Sequence, residues 1–153
     1  LFVVGFHVLS SAQDESANLK ELTRAADVIV TGKVSHKKSN WNKDKTRIYT
    51  KKTVEVDEYL KGDTNRKSVE VTTLGGEVGD VGEIYTHVPR FEENEEVLVF
   101  LKKNDKLQGY EVFKGEEGKI KVHKDTKSKN KFTNEDMHLK DLKKQIKNYL
   151  EEK

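Results

Sequence analysis

At 153 residues, with 37% charged side chains against 33% hydrophobic ones, the chain has material for one closed core under a heavily solvated surface. A formal net charge of +2 excludes a global field driving it onto nucleic acid or a membrane, and the absence of cysteine excludes disulfides and thiolate metal sites. The charges are segregated, however: 33–52 is almost purely basic, 70–96 mostly acidic and 119–131 basic again. Solvated faces of opposite sign account for this; a patch that steers an acidic partner is the alternative.

The opening LFVVGFHVL is apolar, SSA follows, and QDES is polar, the layout of the back half of a signal peptide. Ser10 and Ala12 stand at the positions a signal peptidase reads. Cleavage is therefore expected before Gln13, with export, a leader remnant over 1–12 and a single domain over 13–153. About 12 apolar positions fall short of the ~20 needed to span a bilayer, so no membrane span is expected. Retention of this segment, donated as a strand to a neighbouring subunit, is the alternative.

Leu19, Leu22 and Ala26 have helical spacing, which predicts a short helix over 16–26 capped by Ser16 or Asp14. ADVIVTGKVS turns β-branched and reads as the first strand, in which Gly32 marks a bulge or a close backbone approach. HKKSNWNKDK has no periodicity and predicts a loop carrying Trp41, the only tryptophan. RIYTKKTVEVDEYLKG, over 47–62, then alternates. Ile48, Thr50, Val54, Val56 and Leu60 fall on one face and Tyr49, Lys51, Thr53, Glu55, Asp57 and Tyr59 on the other, with Lys52 and Glu58 interrupting the first. A strand this long should bend and meet different neighbours at its two ends, with Lys52 and Glu58 at bulge or edge positions.

Alternation resumes over 68–74, GGEVGDVG over 75–82 predicts a glycine-rich hairpin or bulged connection, and 83–88 reads as a strand that Pro89 ends. The unbroken VLVFL of 97–101 implies burial on both faces, and further strands are expected over 110–113 and 119–123. About seven strands at this spacing suit a sandwich or barrel. The period then changes: Met137, Leu142, Ile146, Tyr149 and Leu150 line one face of a helix predicted over 133–151, docked on the sheet. Thr133 with Asp136 resembles a capping box, and Phe132 with Met137 has the spacing of a hydrophobic staple.

Chemistry-bearing patterns are sparse. His7, His36, His87, His123 and His138 form no recognised ligand pair, so no metal is expected. GGEVGDVG lies between strands, whereas a phosphate cradle leads from a strand into a helix. Glu92, Glu93, Glu95 and Glu96 lack the alternating oxygen ligands of a calcium loop and read as an exposed turn. There is no GxSxG, no cysteine nucleophile and no carboxylate pair that stands out, so no catalytic residue and no cofactor is assigned. The best binding candidate is Trp41 among Lys37, Lys38, Lys43, Lys45 and Arg47, where an aromatic face can stack a base or sugar while lysines hold anionic groups. The alternative is a tryptophan folded down over the end of the barrel.

Taken together, ADVIVTGKV, the Trp41 segment, RIYTKKTVEVDEYLKG, VEVTTLGGEVG, VPRF and EEVLVFLKK resemble a group of exported bacterial domains of uncharacterised role. The helix running into AADVIVTGKV is also similar to the netrin-like or TIMP-like superfamily. That resemblance implies a mainly β fold, an OB-type antiparallel barrel with a short N-terminal helix and a docked C-terminal helix, and protein binding in place of catalysis. TIMP-type inhibitors chelate a protease zinc through an N-terminal cysteine; this chain has no cysteine, so that mechanism transfers to none of its residues.

The expectation is thus an exported, non-enzymatic recognition domain that binds another protein, such as an extracellular protease or an envelope component. Its surface would be a barrel rim made of Trp41 with Lys38, Lys43 and Arg47, the glycine loop with Gly75, Gly76 and Glu77, and Arg90 with Phe91. Alternatives are salt-dependent binding of an anionic or sugar polymer by the lysine-rich segments, and a surface-filament subunit that keeps residues 1–12. No nucleic-acid partner is expected.

Overall fold

The computed structural model describes residues 9–62 and 65–153. The chain is mainly β with a helix near each end: α1 (Leu9–Ala25), β1 (Val28–Trp41), β2 (Ile48–Lys61), β3 (Ser68–Leu74), β4 (Gly76–Val78), β5 (Val81–Glu83), β6 (Glu96–Asn104), β7 (Gly109–Val112), β8 (Lys119–Lys124), β9 (Lys131–Thr133) and α2 (Leu139–Glu151). Among the described residues, no helix is long and apolar enough to cross a membrane.

The large sheet runs β1-β2-β3-β7-β6-β8-β9, and β1 also pairs with β6, so β1, β2, β3, β7 and β6 close into a ring of pairings. Every pairing in it is antiparallel except β3 with β7, where Val71 lies beside Tyr110 in parallel. β4 and β5 form a separate hairpin. The strand with two neighbours in succession along one edge is β6, which meets β7 over Leu101–Asn104 and β8 over Glu96–Val99. β2 does not change partners as expected: it pairs with β1 along its length and with β3 from Tyr49 to Glu55.

Register slips on β1 and β2 decide which side chains face inward. Between Thr31/Glu58 and Gly32/Val56 one residue of β2, Asp57, is passed over. An extra residue reverses the side-chain alternation beyond it. Tyr59 accordingly joins Val56 against the inner core, while Leu60 packs outside. Strict alternation over 47–62 had placed Leu60 with Ile48 and Tyr59 opposite, so that assignment is reversed at the C-terminal end of the strand. Glu58 does lie at this bulge, but Lys52 does not: it pairs in register with Lys37 and points inward. Gly32 has the close approach expected of it, because a Cβ there would strike the Glu55 carbonyl.

Two apolar layers result. Val28, Val30, Val34, Val54, Val71 and Val99 belong to the layer inside the ring, and Phe91 and Leu101 complete its bulk. Their sequence neighbours Ile29, Leu98 and Phe100 point outward and pack with Leu22, Leu142 and Ile146 from the two helices. VLVFL is therefore buried on both faces, as its unbroken apolar character requires.

Several boundaries differ from expectation. The basic stretch 36–40 continues β1 because β2 supplies a partner for its backbone, in spite of its lack of apolar alternation. Among the described residues nine strands stand in place of about seven, and 84–88 is irregular beyond β5. α2 starts at Leu139, six residues after the predicted 133. Phe132 and Thr133 instead complete β9 on β8, and Asp136, with φ 58°, turns the chain back so that the Thr133 N–H donates to the Met137 carbonyl at 2.9 Å. The leader predicted over 1–12 falls largely outside the described residues, and α1 already begins at Leu9.

Candidate functional site

The β1–β2 hairpin closes in a turn built by one side chain. Asn42 Oδ1 accepts the backbone N–H groups of Thr46 at 2.8 Å and Arg47 at 3.1 Å, and its amide donates to Thr46 Oγ1 at 3.0 Å. Trp41 stands at the base of this turn, opposite Ile48, as the half-buried last residue of β1. It does not lie in a loop.

The β4–β5 hairpin folds onto the same end. The Gly75 N–H donates to the Ile48 carbonyl at 2.7 Å, and the Gly75 carbonyl accepts Thr50 Oγ1 at 2.6 Å. Gly75 and Gly76 have φ of +94° and +138°, and a Cβ on Gly76 would collide with Thr50 and Ser39, whose hydroxyls are 2.8 Å apart. Both glycines are needed for the hairpin to seat this closely. Glu83 locks the seat: its Oε2 accepts the Ile48 N–H at 3.0 Å and the Tyr85 hydroxyl at 2.9 Å. The same hydroxyl accepts Arg47 Nη1 at 3.0 Å, and the guanidinium stands 5.9 Å from the Tyr85 ring centre.

Most of the rim residues expected from sequence are thereby gathered. Trp41, Arg47, Gly75 and Gly76 meet through Ile48, Glu83 and Tyr85, while Lys38, Lys43 and Glu77 are exposed on the two hairpins. The sequence reading missed Val81 and Ile84. They are 46% and 81% exposed and are the large hydrophobic side chains left to solvent among the described residues. A signal existed, since both lie in the glycine-rich segment and its continuation, but 83–88 read as a strand and gave Ile84 a face to hide on.

Arg90 and Phe91 do not join this surface. Phe91 is buried at 3% exposure in the inner layer, and the exposed Arg90 contributes its carbonyl to Lys119 Nζ. The Phe91 ring receives two ammonium groups, Lys52 at 5.0 Å and Lys119 at 4.8 Å from its centre. Lys119 also pairs with the buried carboxylate of Glu95 at 2.7 Å. Glu95 is thus part of an internal ion pair and not of an exposed acidic turn. Lys52 is bonded to Thr73 Oγ1. Burial, and then the positive charges of Lys37 and Lys119, lower its pKa to about 7.

No protein-family model matches the sequence, and no curated protein matches it significantly.

Proposed function

We propose that the chain is an exported, non-enzymatic recognition domain of the OB-type, TIMP-like kind, which binds another protein through the rim formed by the β1–β2 and β4–β5 hairpins. The circuit β1-β2-β3-β7-β6 with its parallel β3–β7 pairing supports the OB-type reading. The observation that carries the binding reading is the pair Val81 and Ile84, held in solvent by a hairpin whose seat is hydrogen-bonded on both sides. Exposed apolar side chains on a rigid support, rimmed by Arg47, Tyr85 and Glu77, suit a protein contact with a small apolar centre and a polar border.

The test is capture of a partner from culture medium or an envelope fraction by the immobilised chain and by a Val81→Glu/Ile84→Glu variant. The wild type is expected to retain a partner that the equally folded variant loses. Equal capture by both, or none by the wild type, overturns the reading.

One observation favours a second reading. Lys38 lies directly across from Lys51, both exposed, an arrangement of like charges that costs stability unless an anion neutralises it. Binding of a polyanion such as heparin, falling steeply with added salt, is then expected. Salt-independent or undetectable binding removes this alternative.

A further inference from the structure

A concave surface, sharing no residue with the rim, lies between α1, α2 and the β8–β9 edge and encloses about 700 Å³. Its floor is apolar: Leu19, Leu22, Ile120, Met137 and Leu142 line it, and they continue the outer core to the surface. Its border is acidic, with Glu15, Glu116, Glu117, Glu135 and Glu152 around the opening.

The cations that could neutralise this border are engaged or remote. Lys119, the one lining cation among the described residues, is 2.7 Å from the Glu95 carboxylate. Glu152 is paired with Lys20 at 2.8 Å and Arg24 at 3.1 Å, and Glu117 reaches Lys114 only at 4.0 Å. Glu15, Glu116 and Glu135 have no ion pair among the described residues. On a chain whose net charge is +2, this is a local concentration of negative potential over an apolar floor.

We infer that this groove docks a cationic amphipathic helix of another protein, with apolar side chains on the floor and lysines or arginines against Glu15, Glu116 and Glu135. Two features select this occupant. The groove is walled by two helices, and a third fits such a wall with anchors spaced i, i+3, i+4 and i+7. The carboxylates without an ion pair favour a cationic occupant over an anionic one, and a neutral apolar occupant would leave the border unused.

The probe is a fluorescein-labelled helical peptide of about 15 residues with leucines at that spacing and lysines elsewhere, followed by anisotropy against the whole chain. Micromolar affinity is expected, weakened about tenfold or more by Glu116→Lys combined with Glu135→Lys and weakened also by salt. Both glutamates are exposed, so circular dichroism should show an unchanged fold. The Val81→Glu/Ile84→Glu variant should bind the peptide as the wild type does, which separates this site from the rim. Equal affinity in the charge-reversed variant overturns the inference. So does equal binding of a peptide with serines in place of the leucines, or with glutamates in place of the lysines. Self-association in sedimentation that the same reversal abolishes would identify a second copy as the occupant and would overturn it as well.

Discussion

Inside the ring of pairings the core is mostly valine, from Val28 on β1 to Val112 on β7, whereas the layer beneath the helices is built from Phe100, Ile29, Leu98, Leu142 and Ile146. The two layers share β1 and β6, so they differ in the space they fill. A closed ring leaves a narrow interior that short β-branched side chains occupy in full, while a sheet and a helix stand further apart and need long side chains between them. They differ also in how they end. The outer layer opens into the acidic-bordered groove, and the inner one ends in Lys52, Thr73 and Lys119 grouped around Phe91.

Breaking the outer layer should have the largest effect. Phe100 is fully buried, so Phe100→Ala is expected to lower stability by about 3–5 kcal/mol in denaturant unfolding. In the inner layer Val71→Ala removes a smaller volume and should cost about 2 kcal/mol. Similar losses at the two sites would contradict the difference in filling.

The polar end of the inner layer is open to a pH test. With its pKa lowered from 10.5 to about 7, Lys52 binds its proton less readily in the folded chain than in the unfolded one. Stability should therefore rise with pH between those two values, and the cost of the buried ammonium is fully present below about pH 7. Lys52→Met should raise stability by about 1–3 kcal/mol at pH 6 and flatten this slope, with part of the gain offset by the hydroxyl of Thr73 losing its partner. An unchanged slope in the variant would assign it to another group.

The smallest effect is expected where the helix layer meets the far end of β2. Glu58 accepts Lys143 Nζ at 2.7 Å and Lys147 Nζ at 3.5 Å, and the hydrogen bond from Lys143, opposed by partial burial, holds its carboxyl below the usual range. Because Glu58 is 37% exposed and solvent screens the pair, Glu58→Gln should cost only about 0.5 kcal/mol. That contribution is present above the unfolded carboxylate range and vanishes as pH falls through the folded value. Thermal melts of both chains at pH 7 and at acid pH should converge at the acid end.

Much of this was legible beforehand for reasons local to the chain. VLVFL announced two buried faces, the stripe from Leu142 to Leu150 announced α2, and the doubled glycine at 75–76 announced a tight connection. The rim was legible as a set of turn formers around Trp41, but not its exposed apolar pair, because an isoleucine in an apparently alternating segment has a buried side by default. Phe91 was misplaced for the complementary reason: after Pro89 and Arg90 it looked like a loop residue, and only the lysines folded over it show that it belongs inside.

Apolar spacing and turn chemistry in the sequence alone determined a mainly β chain with a helix near each end and a glycine-rich connection at one rim. The tertiary structure alone decided the reversal of Tyr59 and Leu60, the burial of Lys52, and the start of α2 after β9. Each depends on a partner distant in the chain: a register slip is a relation between two strands, and a lysine enters a core only when other segments bring a hydroxyl and an aromatic face to meet it.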